Sequence, residues 1–225
     1  MALNIGTRAK DGTLMGDGNP ALQDLNLRKA ILMGMDNKTL LDKVLNGQGV
    51  ESTGEVPASY SLYNWKNSDL PLKFNPDAAN KLLDESGYVK GADGVRLDKT
   101  GKSLTLRLLG RNTDGTHQQI IDFVTKWLKN IGITVTPEMK SNVQVNDDSI
   151  LGNVDMYFTG WNIGPDPDYQ LSINQCSALP NADGTGGTSE NGLCIPELDA
   201  LIKAQHTELD QTKRSELVQK AQEMM

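Results

Sequence analysis

The chain predicts an α/β fold, and three observations carry that expectation. Leu104, Leu106 and Leu108 alternate with Thr105 and Arg107 as a half-buried strand. Ile120, Ile121, Val124, Trp127, Leu128 and Ile131 then form a wide apolar stripe at helical spacing, and ITVTPE restores a strand pattern after Gly132. Strand, helix and strand in this order, with a connection of this length, predict a right-handed parallel unit on one sheet.

The elements around this unit follow from local signals. ALNIG alternates like a strand, and the polar, glycine-rich TRAKDGTLMGDGNP behind it is a loop. From Asp24 onward, Leu27, Ala30, Ile31 and Met35 keep helical spacing. Asp36 or Asn37 caps a second helix carrying Leu40, Leu41, Val44 and Leu45, which Gly47 ends. Residues 48–73 hold no lasting period and read as an ordered loop around Tyr60, Tyr63 and Trp65. Asn75-Pro76 is a cap with proline in the first turn, Ala79, Leu82 and Leu83 give that helix its buried face, and Gly87 closes it. GYVKGADGVRLDKTGK looks like a glycine-rich hairpin, and the long helix after the leucine strand starts near Thr113 or Asp114.

Further along, a helix over part of residues 141–151 has a poor apolar pattern. Val154, Met156 and Phe158 make another strand, ending at Gly160-Trp161. NIGPDPDY is turn-rich, and two helices begin at Pro196 and near Gln211. In the last helix Leu217, Val218, Ala221, Met224 and Met225 form an apolar face that runs to the final residue. A polypeptide extending past both ends of this stretch is therefore expected.

Composition removes several function classes. No run approaches the roughly 18 apolar residues of a membrane span, and MALNIGTRAKDG lacks the apolar stretch of a signal peptide. The net charge is −7 and the 22 basic residues are scattered, which disfavours nucleic acid as a partner. The two cysteines, Cys176 and Cys194, border a Gly/Ser/Thr-rich loop and are too few for a metal cage. A disulfide across the loop is expected, the alternative being two unrelated buried thiols, and it implies a compartment outside the cytoplasm.

No enzyme, metal or cofactor is expected. His117 and His206 have no partner motif and read as solvated helix-end residues. HxxH, HExxH and CxxC spacings are missing, and the glycines of GTGGTSENG neither follow a strand nor precede a lysine. Asp166 and Asp168 lie too close in sequence for the paired carboxylates of a glycosidase, so Asp-Pro-Asp reads as a helix cap.

Several segments, in order, resemble one family. NPALQDLNLRKAILMGMDNKTLLDKVLNGQG is similar to the Asp-x-x-x-Arg-x-Ala-x-x-x-x-x-Asp segment of the peptide- and nickel-type solute-binding proteins of ABC transporters, family 5, with Asp24, Arg28, Ala30 and Asp36 in the pattern. FNPDAANKLLDESGY looks like that family's proline-initiated helix ending in Gly-Tyr. SLTLRLLGRNTDGTHQQIIDFVTKWLKNIGITVT and VDMYFTGWNIGPDPDYQLS are similar to its strand, amphipathic helix, Ile-Gly-Ile strand and Gly-Trp strand end. CIPELDALIKAQHTELDQTKRSELVQKAQ resembles its closing helices.

The resemblance implies a periplasmic-binding-protein-like lobe, a mixed sheet with helices packed on both faces. Residues 1–18 would be an incoming strand and hinge-side loop from a first lobe, and residues 19–225 the second lobe. It also implies an extracytoplasmic lipoprotein that captures peptides or similar small solutes and delivers them to a permease, lipid-anchored in its full length.

The cleft would lie at Gly160-Trp161. There Trp161 walls the ligand, the alternative being a core tryptophan, and the backbone of Asn162 and Ile163 pairs with an extended peptide. An aspartate after this tryptophan commonly meets the peptide's α-ammonium. Here Asn162, Ile163, Gly164 and Pro165 follow, one residue short, which leaves Asp166 as the substitute. Without it the ligand is a blocked peptide, an oligosaccharide or another small solute. Arg111, at the end of the leucine strand, holds a position where relatives grip a ligand carboxylate, the alternative being a solvated surface arginine. A stand-alone, chaperone-like module that holds extended polypeptide is the rival reading.

Overall fold

A short strand, β1 (Ala2–Leu3), opens the computed structural model, which describes residues 1–67, 72–160, 164–189 and 191–225. A 3-10 turn over Pro20–Gln23 leads into α1 (Leu25–Met33), whose N-cap Asp24 accepts the Asn26 N–H. Helix α2 (Asn37–Lys43) starts on Asp36, which accepts the Thr39 N–H. Asn46 and Gly47 both take positive φ, and the Gly47 N–H donates to Leu41 O at 2.8 Å, so Gly47 closes the helix as its sequence suggests. Helix α3 (Pro76–Glu85) is capped by Asn75 and stopped by Gly87 at φ +87. The predicted hairpin after it holds together through the isolated bridges Lys90 to Arg96 and Leu97 to Ser103.

The central unit follows. Strand β2 (Thr105–Arg111), helix α4 (Gly115–Asn130) and strand β3 (Thr134–Lys140) run strand, helix, strand, and β2 pairs with β3 in parallel from Thr105–Thr134 to Arg111–Lys140. Helix α5 (Asn142–Leu151) then crosses to β4 (Met156–Tyr157), which pairs in parallel with β2 and antiparallel with β1. The sheet order is β1-β4-β2-β3, a mixed sheet.

Pleating along β2 divides the core in two. Leu106 and Leu108 face one side and pack with Ile121, Val124 and Leu128 of α4 and with the buried residues of α1 and α3. Leu109 faces the other side and clusters with Val145 of α5, Val154 and Tyr157. Helices therefore cover both faces of the sheet. A third cluster lies apart, built from α6 (Asp168–Ser172), α7 (Pro196–Thr207) and α8 (Gln211–Met224) around Leu171, Leu198, Ile202 and Val218.

Three details differ from the sequence reading. Helix α5 is complete despite its poor apolar pattern, because a capping box of Ser141 with Gln144 starts it and Gly152, in the left-handed region at φ +75, stops it. Strand β4 has two residues, since its backbone pairs with β2 only at Met156 and Tyr157. The buried face of α8 is Ser215, Val218, Ala221 and Gln222, whereas Met224 and Met225 are 37% and 40% exposed. Gln222 is internal because its side chain donates to Tyr63 O at 2.7 Å and accepts the Val56 N–H at 3.0 Å, satisfying the loop that covers the helix.

Two buried ionic groups tie these layers together. The carboxylate of Asp155, just before β4, accepts the backbone N–H groups of Asn19 and Arg107, both at 2.7 Å, and the Arg107 guanidinium at 3.1 Å. Arg96 is fully buried beneath the hairpin. It donates to Ile131 O at 2.7 Å, to Tyr88 O, to Asn80 Oδ1 at 2.8 Å and to Asp84 Oδ1 at 2.6 Å. One guanidinium thus joins α3, the hairpin and the end of α4.

Candidate functional site

A pocket of about 210 Å³ opens beyond the carboxyl ends of β2 and β4. This is where open α/β sheets take ligands, because loops and helix ends converge there while the strands stay rigid. Arg111 ends β2, Gly160 follows β4, and Asn146, Ser149 and Ile150 occupy one face of α5 at i, i+3 and i+4 spacing. Gly187 and Thr188, from the loop between the cysteines, complete the lining. Two positions singled out in the sequence, Arg111 and Gly160, thus come together in one pocket.

The charge of the lining is one-sided. Arg111 is its only ionisable residue among the described residues. Its Nη2 donates to Asn146 Oδ1 at 3.0 Å, and its buried Nε has no hydrogen-bond partner among the described residues. A buried donor without an acceptor is costly, and a ligand oxygen relieves that cost. By contrast Lys140, the register partner of Arg111 on β3, is neutralised by Glu138 and Asp148, both at 2.9 Å. Hydrogen bonds to those two carboxylates hold its pKa above the ordinary lysine value.

The wall beside α5 is held covalently. Cys176 and Cys194 form a disulfide, as the loop composition suggests. Within the loop, the Thr188 and Ser189 N–H groups both donate to Ala178 O, at 2.8 and 3.0 Å. A Cβ on Gly187 would meet Pro180 Cβ at 2.9 Å and Ile150 Cγ2 at 3.0 Å, so a glycine lets this wall sit against α5. Opening the disulfide with a Cys176→Ser, Cys194→Ser double variant is expected to lower stability by about 3 kcal/mol in the chain-entropy model. Urea unfolding checks this, and an unchanged midpoint would show that the loop's hydrogen bonds suffice.

Asp166 lies elsewhere. It lines a separate depression with Gly164, Pro165, Asp168 and His206, and the Arg214 guanidinium grips it with two parallel bonds at 2.6 and 2.7 Å. The hydrogen bonds from Arg214 hold its pKa below the ordinary aspartate value. Its Oδ1 also accepts the Asp168 N–H at 2.9 Å, a local turn ahead of α6, but the N-cap is Pro167 with no side-chain cap bond, so Asp-Pro-Asp is not the helix cap that the sequence suggests. Trp161, Asn162 and Ile163 lie outside the described residues.

The histidines divide. His206 is exposed and pairs with Asp168 at 3.0 Å, in keeping with a solvated helix end. His117 departs from that reading: it is 8% exposed, its ring lies 5.6 Å from that of Phe158, and its Nδ1 accepts the Arg111 backbone N–H at 2.9 Å. Sequence reasoning missed its role because that bond depends on how the end of β2 packs beside the first turn of α4.

Comparisons with known proteins agree with this fold. The family model described as bacterial extracellular solute-binding proteins, family 5 (middle), matches residues 1–181. The chain belongs to this family. The oligopeptide-binding protein OppA of Bacillus subtilis (strain 168) is 27% identical over 213 residues, which cover 89% of the chain and 35% of that relative. This family 5 chain thus spans about a third of that relative's length. Among solved structures, the oligopeptide-binding protein of Thermus thermophilus, complexed with a pentapeptide, superposes with a TM-score of 0.77 at 22% identity, covering 90% of this chain and 36% of the other. NikA from Brucella suis, in complex with Fe(III)-EDTA, superposes with a TM-score of 0.75 at 24% identity, covering 99% and 41%. Both share the fold, a periplasmic-binding-protein lobe.

Proposed function

We propose that this chain is the second lobe of an extracytoplasmic ABC-transporter binding protein, and that its pocket holds the carboxylate end of a short peptide or a similar anionic solute. The observation that carries the reading is Arg111: at the carboxyl end of a parallel strand, its guanidinium has no carboxylate partner in the pocket and its buried Nε no acceptor among the described residues. Residues 1–18 serve as the entry from the first lobe and residues 19–225 as the lobe itself. Closure of the two lobes over the solute is what a permease recognises, and no covalent step takes place. Gly160 and the adjoining Trp161, Asn162 and Ile163 supply the wall and the backbone edge, and a lipid anchor on the full-length protein keeps it at the membrane.

A ligand without a free α-ammonium is favoured by one further observation. Asp166 is already occupied by Arg214, and the lining of the Arg111 pocket contains no carboxylate among the described residues. The test is calorimetry on the full-length protein with trialanine, N-acetyl-trialanine and trialanine amide. Binding of the first two with similar affinity, and weak binding of the amide, supports the reading. Equal binding of all three, or of none, sinks it.

A further inference from the structure

We propose that His117 is a positioning residue for Arg111, whose neutral imidazole holds the end of β2 in place so that the guanidinium faces the pocket, and that acid releases this hold. The inference rests on the ligand-binding reading of the pocket for its consequence, although the device itself stands on geometry.

The backbone explains why a side chain is needed at this point. Leu109 O accepts the Phe158 N–H at 3.1 Å, so the Leu109 peptide edge faces β4. Alternation along the strand turns the Arg111 N–H to the same side, two residues further on, where pairing with β4 has ended. That N–H would otherwise be an orphan donor at the floor of the site. His117 Nδ1 fills the place at 2.9 Å, with its ring against Phe158. Asn112 faces the opposite way and is satisfied by β3, its N–H donating to Lys140 O at 2.8 Å. The imidazole therefore stands in for the next residue of β4.

This bond has one protonation state. Nδ1 must carry the lone pair, which leaves the proton on Nε2, 3.5 Å from Asp114 Oδ2. A second proton would set an N–H against the Arg111 N–H. Two charged side chains face the ring: Asp114, from the start of α4, favours the proton, whereas the Arg111 guanidinium on β2 opposes it. Phe158 on the remaining side contributes no charge. Burial, the largest influence, outweighs Asp114 and places the His117 pKa below its ordinary value of 6.5. The neutral form thus prevails at neutral pH, and the bond is lost only as the pH falls through that depressed pKa, below 6.5.

The experiment is an NMR titration of the Arg111 amide between neutral and acid pH, in the wild type and in His117→Asn. Asparagine places Oδ1 near the position of Nδ1 and does not titrate, so it keeps the acceptor and removes the switch. In the wild type the Arg111 amide resonance is expected to move with the His117 imidazole signals, with one shared midpoint below 6.5, and in His117→Asn it should stay fixed. Trialanine binding should weaken about threefold to tenfold across the same transition in the wild type, the worth of one hydrogen bond, and not in the variant. A wild-type Arg111 amide indifferent to His117 titration overturns the proposal, as does an equal acid response in His117→Asn. If trialanine binds neither protein at any pH, the ligand reading fails, while the amide titration still decides the role of His117.

Discussion

Arg111→Ala is expected to weaken the capture of a ligand bearing a carboxylate by at least about tenfold, a loss of about 1.4 kcal/mol. The physical basis is the geometry of the guanidinium. Its planar fork offers two parallel donors to a carboxylate, and the pocket holds no competing anion among the described residues. The fold tolerates the change, since among the described residues the Arg111 side chain bonds only to the exposed Asn146. Affinity should therefore fall while the unfolding midpoint stays within about 0.5 kcal/mol of wild type. Arg111→Lys should recover part of the loss for trialanine, because an ammonium keeps the charge but not the fork. Calorimetry with trialanine and its amide separates these contributions. Unchanged affinity for trialanine in Arg111→Ala would remove Arg111 from the site.

Arg96→Ala is expected to cost about 3–5 kcal/mol of folding stability, because carbonyls left without a donor cost about 1–3 kcal/mol each. Arg96 is fully enclosed, whereas the side chain of its partner Asp84 is 63% exposed. The ion pair itself therefore contributes little, and the loss comes from the backbone. Removing the guanidinium leaves the carbonyls of Ile131, Tyr88 and Asn80 without this donor. It also opens space beneath Gly132, where a Cβ would meet Arg96 Cγ at 2.8 Å. Urea unfolding gives the number. A change below about 1 kcal/mol would show that water replaces the guanidinium at little cost.

The parallel unit was legible because each of its signals is local. The leucine alternation of β2, the stripe of α4 and the glycine stops depend on residues a few positions apart, and their order fixes the layering. The caps at Asp24, Asp36, Asn75 and Asp114 act within one turn and lie where the sequence suggests. Helix α5 was harder to read: its apolar pattern is weak, and the Ser141–Gln144 capping box, present in the sequence, was the signal to follow.

Buried polar groups were the least legible. Arg96, Asp155, Gln222 and His117 look like surface residues in sequence, since such side chains are mostly exposed. Each is internal because backbone donors or acceptors from distant segments meet it. Asp155 and Asn19 are 136 positions apart, and Gln222 and Val56 are 166 apart. No local pattern carries that information.

The same division runs through the site. By itself the sequence determined the α/β class, the order of the elements and the likeness to family 5, because periodicity, caps and motif order are properties of short segments. It also singled out Arg111 and Gly160 as candidates. Only the tertiary structure decided which candidates share a pocket. Parallel pairing brings Arg111, Gly160 and one face of α5 together, whereas Arg214, from a helix far along the chain, claims Asp166. The reason is physical: a charged side chain is defined by its partners, and the fold, through long-range contacts, chooses them.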